Sequence, residues 1–126
     1  MCVRSWVRAW APAAIWAIFL FILSATPGSD LPELPGNSDK LVHGAVYAVL
    51  GALCFWGVRF TSAFGPPRAV ALATGLAALF GITDEFHQAF TPKRTPADWR
   101  DAAADAIGGL IGAFALGLLL SRRRDS

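Results

Sequence analysis

Charge is what this chain has least of. Asp, Glu, Lys and Arg make up 16% of its 126 residues, where soluble domains carry about 25%. That shortage argues against an ordinary water-soluble domain. Disorder is excluded too, because it needs low hydrophobicity and high net charge; here 55% of residues are hydrophobic and the formal net charge is +2. Cysteine is limited to Cys2 and Cys54, which fall on the inner side and within a helix in the topology given below, so no exported disulfide is expected. No internal repeat and no low-complexity segment can be marked. The arginines sit mostly at segment ends, a membrane-protein pattern, and no nucleic-acid partner is implied.

Long apolar stretches are abundant. Four run over about 5–24, 41–58, 69–86 and 102–120, each near the length that a tilted helix needs to cross a bilayer. Breaks collect between them at Pro27-Gly28, Pro35-Gly36, Pro66-Pro67 and Pro92. The expected fold is all-α, an integral membrane bundle of four transmembrane helices forming one domain over 1–126. Arg4 and Arg8 before an apolar run also fit a signal peptide. The best cleavage point, after Ala25, has bulky Leu23 where a small residue is preferred, so the stretch is read as a retained first helix.

Basic residues orient the bundle. With the N-terminus inside, the inner flanks hold Arg4, Arg8, Arg59, Arg68, Arg122, Arg123 and Arg124, against Lys40, Lys93, Arg94 and Arg100 outside. Both termini are therefore expected to be cytoplasmic. Trp6, Trp10 and Trp56 suit an interfacial belt, whereas Trp16 falls in mid-span.

This topology sorts the acids sharply. Asp30, Glu33, Asp39, Asp84, Glu85, Asp98, Asp101 and Asp105 all fall on the outer side, with His43 and His87. Glu85 and Asp105 lie about one turn inside the hydrocarbon boundary, where ionisable groups are costly and usually mark a partner or a function. Asp39, His43 and Tyr47 are spaced four apart and share a helical face. Asp39 reads equally as a first-turn acid favoured by the helix dipole; for His43, and more strongly for Tyr47, an interhelical hydrogen-bonding role is the commoner reading. Asp84 and Gln88 share a face, and Glu85 lies about 100° round from Asp84. Adjacent acids at a helix C-terminus oppose the dipole, and Lys93 and Arg94 are the expected compensating cations. Thr95 as N-cap, Pro96 at the first helical position and Asp98 at the third suggest a capping arrangement for the last helix. Asp101, Asp105, Gly108 and Gly112 form one stripe ending in a small-residue contact motif, matched by Gly44, Ala48 and Ala52. Asp101 and Asp105 are thus expected to face a helix, not lipid.

The pattern Asp39-Lys40-x2-His43-x3-Tyr47-x3-Gly51, followed by Asp84-Glu85-x2-Gln88-x5-Arg94-x3-Asp98-x2-Asp101-x3-Asp105-x2-Gly108, resembles the VanZ-like family of small membrane proteins over roughly 39–112. The departure is Asp105, where members often carry Asn; the acid makes the site more negative. The resemblance implies a multi-pass protein of the bacterial inner membrane with a polar site at its extracytoplasmic face. It also implies an effect on susceptibility to teicoplanin, a lipid-tailed glycopeptide.

Three functions follow. In the first, Lys40 and Arg94 bind an anionic head group through guanidinium and ammonium contacts, while His43, Gln88 and the acids orient those cations. A lipid-linked cell-wall precursor or a lipoglycopeptide is the amphiphile that would reach such a site from the membrane plane. In the second, the protein is an enzyme on the same substrates, with His43, Glu85 and Asp101 as acid–base candidates or with a divalent cation held by the acids and histidines. No Ser or Cys nucleophile lies near the cluster and no ligand spacing is diagnostic, so neither a metal nor a cofactor is assigned. In the third, the polar residues only hold the helices together or bind a partner membrane protein.

Overall fold

A computed structural model of the chain describes residues 2–30, 32, 33, 35, 36, 38–93 and 98–123. It contains four helices: α1 (Val3–Ala25), α2 (Ser38–Thr61), α3 (Pro66–Gln88) and α4 (Trp99–Arg122), with one 3-10 turn at Gly28–Asp30. No strand occurs among the described residues. All four helices are long and apolar enough to cross a membrane. Each runs two or three residues beyond at least one end of the apolar stretch that predicts it, because helical hydrogen bonding continues into polar residues at the interface. Outward faces are apolar; Ile15, Leu79, Ile111 and Phe114 are exposed, as a lipid-facing surface requires.

Local chemistry sets the ends. Pro66 opens α3, where its fixed φ and missing N–H cost nothing. At the end of α2 the Thr61 and Ser62 hydroxyls donate to the Gly57 and Val58 carbonyls at 2.7 Å. α4 starts later than the sequence suggests. Asp98 is its N-cap, with a carboxylate oxygen accepting from the Arg100 amide at 2.9 Å. Thr95, Pro96 and Arg94 lie outside the described residues. The helix begins where a carboxylate, the better cap, can reach a free N–H.

The helices alternate in direction. Trp10 packs against Gly57 near the start of α1 and the end of α2, and its Nε1 donates to Thr61 Oγ1 at 3.2 Å. Trp16 donates to the Val46 carbonyl at 2.9 Å, which explains a tryptophan in mid-span: its N–H is satisfied by backbone instead of the interface. The most extensive packing joins α2 to α4, which run in the same direction. A Cβ on Gly108 would fall onto the Gly44 backbone, and one on Gly112 onto that of Ala48. A Cβ on Gly51 would meet Gly109. Backbone thus lies directly on backbone, the close approach that small residues permit in membranes. The expected stripe is found, with Gly51 taking the role given to Ala52. On α3, Ala69, Ala73, Ala77 and Gly81 are all buried at four-residue spacing, a second small-residue face that seats α4.

Candidate functional site

At the end where α1 and α3 finish and α2 and α4 begin, the fold gathers most of the polar side chains. The Gly44–Gly108 contact fixes the register between α2 and α4. Toward this end it sets Lys40 against Asp101, with Nζ 2.6 Å from Oδ1, and His43 against Asp105, with Nδ1 3.0 Å from Oδ1. Lys40 also lies 3.7 Å from Asp98 and 3.9 Å from Asp39. Asp39 itself is half exposed, consistent with an acid in the first turn of α2.

From α3, Asp84 Oδ2 accepts from the Tyr47 hydroxyl at 3.3 Å and from Gln88 Nε2 at 3.1 Å. Glu85 turns toward α2, its Oε1 3.9 Å from His43 Nδ1. The cation expected to offset Asp84 and Glu85 is not Lys93. That residue is exposed in the loop past α3 with a left-handed backbone, φ 57°, and it makes no ion pair with them among the described residues. Its ammonium stays in water, where it loses no solvation; uncharged donors and His43 serve the acids instead. Arg94, the other expected cation, is outside the described residues.

Burial is deep for such groups. Asp105 is fully buried, and Asp84, Glu85, Gln88 and Asp101 are buried with it. Asp84 Oδ1, Glu85 Oε1 and Asp105 Oδ2 have no hydrogen-bond partner among the described residues. Interhelical polar bonds in membranes average about 0.6 kcal/mol, less than the roughly 1–3 kcal/mol cost of one unsatisfied buried acceptor.

Several contributors were not singled out from the sequence. Gly81 faces Asp105: a Cβ there would stand 2.9 Å from both Asp105 Cβ and Oδ2, so only glycine leaves the carboxylate its present place. The signal was available in the four-residue spacing of Ala69, Ala73, Ala77 and Gly81. Ser24 was also missed. Its hydroxyl lies 3.5 Å from His87 Nδ1, its carbonyl accepts from Thr91 Oγ1, and His87 stacks on Phe21. These contacts tie the ends of α1 and α3 together beside the cluster.

A cavity of about 50 Å³ opens there, lined by the polar Ser24, His43, Tyr47, Asp84 and Gln88 together with the apolar Leu20, Leu23, Val42 and Val46. It has room for one or two waters, or for one functional group of a larger molecule. Two larger cavities, of about 590 and 430 Å³, lie at the opposite end beside Arg59 and Arg123 and beside Arg4 and Arg8. They contain none of the residues expected from the sequence to form the site.

No curated protein and no solved structure matches the chain. The family model described as VanZ/LLP1 does match, over residues 9–120. That span takes in all but the first turns of α1 and the last residues of α4, and with them every residue of the polar cluster. The chain belongs to the VanZ/LLP1 family.

Proposed function

We propose that this multi-pass membrane protein resides in the bacterial inner membrane with both termini cytoplasmic, and that its polar end, facing outward, binds the head of an amphiphilic cell-envelope component. A lipid-linked cell-wall precursor or a lipoglycopeptide has the required form, an apolar tail that stays in the bilayer and a polar head that reaches the cluster. Sequestering or presenting such a molecule would alter susceptibility to teicoplanin. The observation that carries this reading is a small cavity lined by both polar and apolar side chains, among them buried Asp84, whose Oδ1 has no hydrogen-bond partner among the described residues. In the binding role, Asp84, Glu85, Gln88 and Asp105 meet the incoming group. Asp39, Asp98 and Asp101 hold Lys40 at the rim, Tyr47 fixes Asp84, and Arg94 supplies a second cation.

Native mass spectrometry of the protein in mild detergent tests this. Wild type is expected to retain an envelope amphiphile that folded Asp101→Asn and Arg94→Ala lose. Equally empty wild type and variants refute it. A second reading, an enzyme on the same class of substrate, is favoured by the His43–Asp105 contact beside Glu85, an arrangement suited to proton transfer. It requires that His43→Ala stop turnover of a lipid-linked substrate that remains bound.

A further inference from the structure

His43, Glu85 and Asp105 come from three different helices, yet each brings a donor atom within 4.8 Å of the other two. His43 Nδ1 is 3.0 Å from Asp105 Oδ1 and 3.9 Å from Glu85 Oε1. Glu85 and Asp105 are 6% and 0% exposed. Among the described residues Glu85 Oε1, the atom turned toward this centre, has no hydrogen-bond partner, and neither has Asp105 Oδ2. Two ionised carboxylates so close inside a membrane-spanning bundle repel each other unless a proton or a cation lies between them. Lys40 is engaged by Asp39, Asp98 and Asp101, and a single imidazole proton serves one carboxylate.

The spacing suits a metal ion. Bonds of about 2.0–2.2 Å from a metal to imidazole nitrogen and carboxylate oxygen place two donors roughly 3.0–3.5 Å apart at ordinary coordination angles. The observed 3.0 Å lies within that range and 3.9 Å a little beyond it, with all three donors within 4.8 Å of one another. We propose that His43 Nδ1, one oxygen of Glu85 and one oxygen of Asp105 form a binding site for a divalent first-row metal ion. The imidazole favours Zn²⁺ and the two carboxylates suit Mn²⁺; Ca²⁺ demands six or more oxygen donors. Three protein donors leave a coordination position open, the pattern of sites where the metal also takes a water or a ligand oxygen. Gly81 provides the space that lets Asp105 take part. The inference deepens the binding reading, since a bridging cation lets an acid-rich cluster accept a phosphate or carboxylate, but the metal site itself stands without any such ligand.

The test uses the full-length protein in detergent micelles, stripped with a chelator and titrated with Co²⁺ while visible absorption is followed. Wild type is expected to take up one equivalent with new absorption bands, which Zn²⁺ bleaches. Folded Glu85→Gln and His43→Ala are each expected to weaken uptake at least tenfold, and the control Asp30→Asn, at an exposed acid outside the cluster, to leave it unchanged. If His43→Ala fails to fold, His43→Gln replaces it. Absence of stoichiometric uptake of both Co²⁺ and Mn²⁺ by wild type overturns the proposal. So does uptake that survives in both the Glu85 and His43 variants. Amphiphile retention without metal uptake would remove the metal site alone; metal uptake without retention would remove only the binding reading.

Discussion

Gly112 and Gly75 lie within membrane-spanning helices, and exchanging each for alanine should change stability in opposite directions. At Gly75 a Cβ meets nothing within 4 Å, so the substitution gains only helix propensity, up to about 1 kcal/mol. At Gly112 the same propensity gain applies, but the new Cβ falls on the Ala48 backbone. Backbone cannot swing aside as a side-chain end can, so α2 and α4 must separate, and such overpacking typically costs about 1–3 kcal/mol. The net effect at Gly112 is a loss of up to about 2 kcal/mol, and the two variants should differ by roughly 1–3 kcal/mol. That difference is about five- to 150-fold in the unfolding equilibrium. Denaturant unfolding in mixed micelles, followed by circular dichroism, measures it. If Gly112→Ala proves as stable as Gly75→Ala, the close α2–α4 contact is wrong, and with it the register that sets Lys40 on Asp101 and His43 on Asp105.

Two further outcomes are expected. Asp98→Ala removes the N-cap of α4 and should lower stability by about 0.5–2 kcal/mol, seen as a lower melting temperature, with Asp98→Asn largely neutral. Cys2 is exposed and Cys54 buried, so a membrane-impermeant maleimide should leave intact spheroplasts unlabelled and label Cys2 once the membrane is opened; labelling of intact cells would reverse the proposed orientation.

The four spans were legible because each apolar run is long enough to dictate a membrane helix by itself, and the Gly108–Gly112 stripe because small residues one turn apart suit only helix contact. The start of α4 was less so: Thr95 and Asp98 are both competent caps, and Pro96, well suited to a first helical position, favours the earlier start. Contacts across helices depended on register. That Lys40, and not Lys93, neutralises an acid follows from how far α2 slides along α4, which no spacing within either helix encodes. Gly81 was legible in principle, since a fourth small residue in step with Ala69, Ala73 and Ala77 continues the same face. Its importance emerges only once Asp105 is known to lie opposite. Trp16 looked misplaced for an interfacial residue until its partner, the Val46 carbonyl, was visible.

Tyr47 is the only tyrosine in the chain. Its ring is 1% exposed, and its hydroxyl donates to Asp84 at the inner edge of the polar cluster. Protein grown on 3-fluorotyrosine would therefore carry fluorine at one position only, where the aromatic core ends and the carboxylates begin. A single ¹⁹F resonance would then report on that boundary in micelles or native membranes without introducing a foreign label. Splitting or broadening of that line would reveal exchange between arrangements of the cluster directly, in a protein too small and too apolar for most other probes to be placed without disturbing it.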